Sequence, residues 1–169
     1  MNDLRNMLAV LAISVAGMAA AHAQQIISDY DHQTNFSQYK SYSWQQISAP
    51  DSIWGDRIKN DVDAQLAAKG WVRLDKGGDA VLCATSSDGE AATVEHFYGG
   101  WGPGWRWRGW SEPVPFDQGT LVVDIFDAKT QSLVWRGFAE QAVSNKDQKN
   151  INKLEKMVSK LFKNFPPKD

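Results

Sequence analysis

A Gly/Pro-rich stretch at residues 87–118 constrains the fold more than any other part of the sequence. Glycine and proline punctuate it so often that regular structure cannot run through it, and only residues 93–98 have the composition of a strand. A connection of this length is unusual inside a compact domain. We therefore expect the regular elements to come from the sequence on either side, with residues 87–118 as an insertion in a single domain spanning residues 24–169.

Alternating apolar and polar residues predict strands on both sides of this insertion. The predicted strands are residues 26–31, 39–44, 71–74, 79–86, 119–127 and 132–140. A glycine-bearing connection at residues 75–78 predicts a hairpin between the third and fourth strands, and a short connection predicts another hairpin between the last two. Asp124 and Arg136 lie at comparable depth on the last two strands, so we expect them to pair and hold the register.

Two amphipathic helices are predicted from apolar residues that recur every three or four positions. The first begins near Asp51 and ends at Gly70, and the second begins where Ser144 and Asp147 resemble a capping box. The apolar stripes are Trp54, Ile58, Val62 and Leu66 in the first helix and Ile151, Leu154, Val158, Leu161 and Phe165 in the second. Since each helix has one apolar stripe, we expect an α+β, two-layer fold: a mostly antiparallel sheet with both amphipathic helices packed on one face.

The first 23 residues read as a bacterial secretory signal, because Arg5 precedes an apolar run at residues 7–20 that is followed by small residues at Ala21 and Ala23. The run is shorter than the roughly 20 residues that a membrane-spanning helix needs. We expect cleavage before Gln24, with an uncleaved anchor as the alternative. No cysteine lies near this point to carry a lipid, so the mature protein is expected to be exported or periplasmic and soluble.

The charge balance gives no reason to expect a polyanionic partner. Lysine and arginine total 18 against 20 acidic residues, and an exported chain rarely meets nucleic acid, so we exclude nucleic acid. A row of lysines does line the second helix opposite its apolar stripe: Lys149, Lys153, Lys156, Lys160 and Lys163. A solvated helix face and an attraction to anionic lipid or glycan are both compatible with this row.

The sequence offers little for catalysis or metal binding. Cys83 is the only cysteine, and its place in an alternating strand predicts a small buried side chain. His32 and His96 are not at metal-ligand spacing, and Asp31 with His32 is expected at a turn or on the surface. There is no nucleophile elbow and no phosphate-binding loop, so we expect no catalytic residue, no metal and no cofactor. A hydrolase of unrecognised type that uses His96 is the alternative.

Four tryptophans are concentrated in residues 101–110 of the insertion. The candidate ligand-binding residues are Trp101, Trp105, Arg106, Trp107, Arg108 and Trp110. In an extended chain Trp105 and Trp107 share one face, about 7 Å apart, with the arginines on the other. Such a platform could stack on sugar rings, accept a partner's side chains or lie at a membrane interface. The alternative is that the rings fold back over the protein's own sheet, with arginines stacked on them.

Six segments carry a resemblance to a known family when they are taken together and in order. They are residues 29–31, 36–44, 63–71, 119–124, 133–137 and 162–167. Together they resemble the bacterial envelope family catalogued as domain of unknown function 4136. The resemblance implies an exported domain of Gram-negative bacteria, often a lipoprotein, with a Gly/aromatic-rich insertion and no established activity. It transfers no catalytic residue, and this chain lacks the lipid-bearing cysteine of the lipoprotein members.

These observations lead to one expected function and two alternatives. We expect a non-catalytic cell-envelope binding or assembly module that uses the aromatic insertion, with an envelope protein, a glycan or a membrane surface as the candidate partner. The unrecognised periplasmic hydrolase and a purely structural envelope protein are the alternatives. The sequence predicts no oligomeric state.

Overall fold

The computed structural model describes residues 24–87 and 119–167. Its strands are β1 (Gln25–Tyr30), β2 (Ser41–Ser48), β3 (Val72–Arg73), β4 (Ala80–Ser87), β5 (Thr120–Asp127) and β6 (Leu133–Glu140). Its helices are α1 (Ser52–Ala68), α2 (Asp147–Leu161) and a short 3₁₀ helix at Phe36–Gln38. The α+β class expected from the sequence fits these elements.

The described strands form one six-stranded sheet in the order β1-β6-β5-β4-β2-β3, and this sheet is mixed. Strands β1, β6, β5 and β4 pair antiparallel, whereas β2 pairs in parallel with both β4 and β3. The expectation of a mostly antiparallel sheet is therefore wrong. Helix α1 carries the chain back to the level at which β2 starts, so the strand that follows it runs parallel to β2.

The predicted hairpin between the third and fourth strands is also wrong, because β2 lies between β3 and β4. Gly78 shows the physical reason. A Cβ atom at Gly78 would lie 2.5 Å from the backbone of Tyr42, so the glycine allows the connection to cross directly against β2. A glycine that permits a close backbone approach resembles, in sequence, one that permits a hairpin turn.

The hairpin of β5 and β6 is confirmed, and its register places Asp124 opposite Arg136 as expected. The first strand, β1, is an edge strand of the sheet and pairs with β6, where Ile26 is opposite Ala139. Strands β1 and β2 follow one another in the sequence but are separated by three other strands in the sheet.

Both predicted helices are confirmed, with corrections at the start and the end of α2. Helix α2 ends at Leu161, so Phe165 lies beyond the helix although it is buried in the same core. Asp51 caps α1 by accepting the Trp54 N–H at 2.8 Å, and Gly70 ends it with a φ of +83°. The predicted capping box of α2 does not form. The Asn150 side chain instead accepts the Ser144 N–H at 2.8 Å and donates to the Ser144 carbonyl at 2.7 Å, while the Ser144 hydroxyl accepts the Lys146 N–H.

The helices pack on one side of the sheet, here called the inner face, and the opposite side is called the outer face. The predicted stripe residues Ile58, Val62, Leu66, Leu154, Val158 and Leu161 are all buried in the core on the inner face. Trp54 and Ile151 are only partly buried. At Gly137 a Cβ atom would lie 2.7 Å from Leu161 Cδ1, so the absence of a side chain lets α2 approach β6 closely.

Candidate binding site

The residues that the sequence singles out in the insertion lie outside the described residues. This applies to Trp101, Trp105, Arg106, Trp107, Arg108 and Trp110, and equally to His96 and to residues 1–23. The structure does describe both ends of the insertion. The Gly119 N–H donates to the Ser87 carbonyl at 3.1 Å, so the insertion leaves β4 and enters β5 at one point of the sheet.

Gly119 is fixed at this point by its backbone and its surroundings. Its φ is +85°, and a Cβ atom would lie 2.0 Å from the Gln141 carbonyl oxygen. That carbonyl belongs to the chain that leaves β6, whose Gln141 N–H donates to the Gly119 carbonyl at 3.2 Å. The base of the insertion is thus held against the segment that leads into α2.

A small apolar pocket lies at this base, between the beginning of α1, the first half of α2 and the segment after β6. Its volume is about 120 Å³. An apolar cavity of about 150 Å³ holds a benzene molecule, so this pocket has room for one ring or one branched aliphatic side chain. Its apolar lining comes from Pro50, Trp54, Val143, Leu154 and Met157. Ser86, Ser87 and Gly119 bring the ends of the insertion to its wall.

The rim of the pocket is polar and carries one positive charge. Lys153 Nζ donates to the Ala142 carbonyl at 2.6 Å, which holds the ammonium group beside the pocket. The amide of Asn150, which fixes Ser144, lies in the same wall. Lys153 is thus only partly exposed, unlike Lys149, Lys156, Lys160 and Lys163, which are exposed. The sequence did not single out this site, although Leu154 and Trp54 were assigned to the helix stripes.

A second polar cluster surrounds Asp63 on α1. Its carboxylate accepts hydrogen bonds from Tyr42 Oη at 2.6 Å, Trp44 Nε1 at 2.8 Å and Arg73 Nη1 at 2.7 Å. Burial, and then the bond to Asp63, raise the pKa of Tyr42. Because donors from β2 and β3 already surround the carboxylate, we assign it the structural role of tying α1 to that edge of the sheet.

A third cluster lies on the outer face, where Asp124 and Arg136 form a salt bridge that is almost completely buried. Cys83 on β4 lies directly opposite Asp124 on β5. Burial, followed by the charge of Asp124, raises the pKa of the Cys83 thiol. The predicted burial of the Cys83 side chain is confirmed, since it is 1% exposed.

The histidine and acidic residues near β1 have the turn and surface roles that the sequence predicts. Asp31 accepts the Gln33 N–H at 2.9 Å in a turn, and His32 is exposed and packs against Tyr30 with ring centroids 4.3 Å apart and ring planes tilted by 52°. Within residues 24–87 and 119–167, no group of three or more His, Cys, Asp or Glu side chains is arranged to hold a metal ion. No helix in this part of the chain has the length and apolar character needed to span a membrane.

Comparison with solved structures finds a similar fold in other proteins of low sequence identity. A DUF4136 family protein from Bacteroides thetaiotaomicron has a TM-score of 0.55 and 16% identity, over 85% of this chain and 96% of that chain. A PDZ domain protein from Parabacteroides distasonis has a TM-score of 0.55 and 12% identity, over 86% of this chain but 37% of that one. The PelC dodecamer from Paraburkholderia phytofirmans has a TM-score of 0.50 and 12% identity, over 82% and 95%.

A search of curated proteins found no match. The sequence itself matches a family described as a domain of unknown function over residues 26–167, which includes both helices and, apart from the first residue of β1, all six described strands. This chain therefore belongs to the DUF4136 family, as the six sequence segments indicated.

Proposed function

We propose that this protein is a non-catalytic binding or assembly module of the cell envelope. The observation that carries the proposal is the apolar pocket at the base of the insertion, with Lys153 at its rim. A pocket of about 120 Å³ accommodates a single anchoring side chain, and such anchors supply much of the affinity of protein interfaces. In this proposal the aromatic residues of the insertion take part in the binding, and the residues that flank the insertion, Ser87 and Gly119, line the pocket.

The chemistry of the lining favours a protein partner over a glycan. Sugar rings need hydrogen-bond donors and acceptors around them, whereas this lining is formed mainly by Pro50, Trp54, Val143, Leu154 and Met157. Val143 lines the pocket and is still 51% exposed, so it adds apolar surface that a partner would cover. We expect an apolar side chain of the partner to enter the pocket and an acidic group near it to face Lys153.

Assembly as a function is supported by PelC, which has a similar fold and forms a dodecamer. In this chain a second copy is therefore one of the partners to test. A position in the cell envelope is supported by the signal-like first 23 residues. Intact-mass analysis of the exported protein should give a chain that begins at Gln24, and a retained N-terminus or an added lipid would contradict this part of the proposal.

Photocrosslinking in living cells tests the pocket directly. A photoreactive benzophenone side chain is introduced at Val143, and at Val72 on β3 as a matched control with 58% exposure. We expect a discrete crosslinked product from Val143 and none from Val72. A product of twice the chain mass identifies a second copy, and another mass identifies a different envelope protein. Equal crosslinking from both positions, or none from Val143, would contradict the proposed binding site.

Two further variants test whether the insertion contributes to binding at the pocket and whether His96, the residue of the hydrolase alternative, is needed for it. Removing residues 99–110 should weaken the crosslink from Val143 if the insertion adds contact surface. Replacing His96 by alanine should leave it unchanged, because the proposed function uses no catalytic histidine.

A further inference from the structure

Five lysines form a row along one side of α2, here called the lysine row. Four of them lie within the helix and the fifth follows just beyond its end: Lys149, Lys153, Lys156, Lys160 and Lys163. At roughly 100° per residue, the four helical lysines lie within about 60° of the helix surface and along about 16 Å of its length. The helix thus gathers these charges into one narrow strip.

The lysine row is separated from the acidic side chains of α2 and α1. Both salt bridges within residues 24–87 and 119–167 are made by arginines, so no lysine of the row takes part in one. Glu155, in the middle of α2, lies about 130° around the helix from the row. It lies toward α1, where burial, and then the charge of Glu155, raise the pKa of Asp61. The positive side of α2 therefore faces away from the acidic residues of both helices.

Two hydrogen bonds show that the row lies over the β1 side of the sheet. Lys153 Nζ donates to the Ala142 carbonyl, just after β6, and Lys160 Nζ donates to the Gln24 side chain, just before β1. In the described sheet β1 is the edge strand on this side. The other three lysines of the row are exposed: Lys149, Lys156 and Lys163. The row is thus presented at one side of the domain.

The arrangement opposes the stability of the helix itself. Lys149 and Lys153 are four residues apart, as are Lys156 and Lys160, and like charges at this spacing destabilise a helix. The helix dipole favours a positive charge in the last turn, and within α2 only Lys160 is there. The dipole therefore does not account for the row, whereas an anionic surface along it would remove the repulsion.

We propose that the lysine row binds the surface of a membrane that contains anionic phospholipids. Lysine binds phosphate as a point charge, whereas the planar carboxylates of acidic glycans and acidic proteins are matched by the forked guanidinium group of arginine. Helix α2 carries five-carbon ammonium side chains and no arginine. The apolar stems of these lysines can lie along the membrane interface while their ammonium groups reach the lipid phosphates.

This membrane contact is independent of the function proposed for the pocket. Of the lysine row, only Lys153 lines the pocket. A partner protein can therefore occupy the pocket while the exposed lysines hold the domain on a lipid surface.

Binding of the exported, purified protein to lipid vesicles tests the proposal. The vesicles contain phosphatidylcholine and phosphatidylglycerol in equal parts, and bound protein is measured by co-sedimentation. The test variant replaces the three exposed lysines of the row: Lys149→Gln, Lys156→Gln and Lys163→Gln. The matched control loses the same charge at three exposed lysines outside α2: Lys40→Gln, Lys76→Gln and Lys129→Gln.

We expect the test variant to bind these vesicles roughly a hundredfold more weakly than the wild type, because each lysine near an anionic surface adds to the attraction. The control should change binding by less than about threefold, and high salt should abolish the binding of the wild type. Circular dichroism checks that both variants are folded, which we expect because glutamine is a good helix former and the replaced side chains are exposed.

Four outcomes would overturn the proposal. They are no binding of the wild type at low salt, equal weakening in the two variants, equally strong binding to vesicles of phosphatidylcholine alone, and binding to soluble polygalacturonate without binding to vesicles. The last result would assign the row to an acidic glycan. The Val143 crosslink separates this test from that of the proposed function. If the test variant loses the crosslink and keeps its vesicle binding, the row serves the partner protein, and the proposed function stands without the membrane contact.

Discussion

Arg136 donates from Nε and Nη2 to the two carboxylate oxygens of Asp124, both at 2.6 Å, and the pair crosses the β5–β6 hairpin inside the protein. Removing one member leaves the other charge buried without its partner. We therefore expect Arg136→Met to lower the free energy of unfolding by about 3–5 kcal/mol. Denaturant unfolding at neutral pH measures this change.

The double variant Asp124→Leu/Arg136→Met separates the cost of an unpaired charge from the value of the pair. Apolar residues of similar volume often replace a buried ion pair without loss of stability, so the double variant should be more stable than Arg136→Met alone. If the effects of the two single replacements simply add, the two side chains are not coupled and the buried pair is not what holds this part of the sheet.

Leu154 connects the core to the pocket, since it is 6% exposed and also lines the pocket wall. Truncating it removes packing between α2 and the sheet, so Leu154→Ala should lower the free energy of unfolding by roughly 2–5 kcal/mol. The smaller Val158→Ala change should cost less, because it leaves a smaller cavity. Unfolding curves that match the wild type would mean that α2 does not dock on the sheet.

Asp63 should be important for stability because its carboxylate satisfies donors from two strands. Asp63→Ala leaves the buried Tyr42 hydroxyl and the Trp44 indole N–H without this acceptor, and each such loss costs about 1–3 kcal/mol. Asp56→Ala, on an exposed position of the same helix, should change the stability by less than about 0.5 kcal/mol. Thermal unfolding of both variants tests the difference, and similar melting temperatures would argue against the structural role of Asp63.

Asp79 should make stability depend on acid pH. The Lys40 backbone N–H, followed by the Ser41 hydroxyl, lowers the pKa of Asp79, and both bonds connect the start of β4 to β2. A carboxyl group with a lowered folded pKa adds stability above its unfolded pKa, near 3.9, and loses it as the pH falls through the folded pKa. We therefore expect Asp79→Asn to be less stable than the wild type at pH 6.

The difference should shrink at pH 3 and below, where the wild-type carboxyl group becomes protonated as well. Denaturant midpoints at the two pH values measure it, and Asp75→Asn, on the exposed connection before β4, is the control. A stability gap that stays constant across this pH range would show that Asp79 acts without its charge.

Local patterns predicted the elements that depend on local forces. The stripe from Ile58 to Leu66 and the β5–β6 hairpin both form where the sequence indicates, because their partners lie a few residues away. The parallel pairing of β2 with β4 was missed, since it joins Tyr42 to Ala80 across a whole helix. The alternation of residues within β2 or β4 does not indicate which strand either one pairs with.

The pocket was missed for a related reason. Trp54, Val143 and Met157 come from three separate segments, and each has an unremarkable place in its own segment. Val143 in particular is a single exposed valine after a strand, which the sequence alone does not connect with α1. The tryptophans of residues 101–110, which the sequence does single out, lie outside the described residues, so their assignment as ligand-binding residues stays a prediction.

The position of β1 determines when this protein can finish folding. β1 is the first strand in the sequence and pairs along its length with β6, the last described strand. Ile26, for example, cannot pair until Ala139 is available. A chain that emerges N-terminus first can form α1 and the pairing of β2 with β4 while β6 is still missing. It cannot close the edge of the sheet until most of its length has emerged. The order of strands thus delays the native state until nearly the whole chain is free to fold.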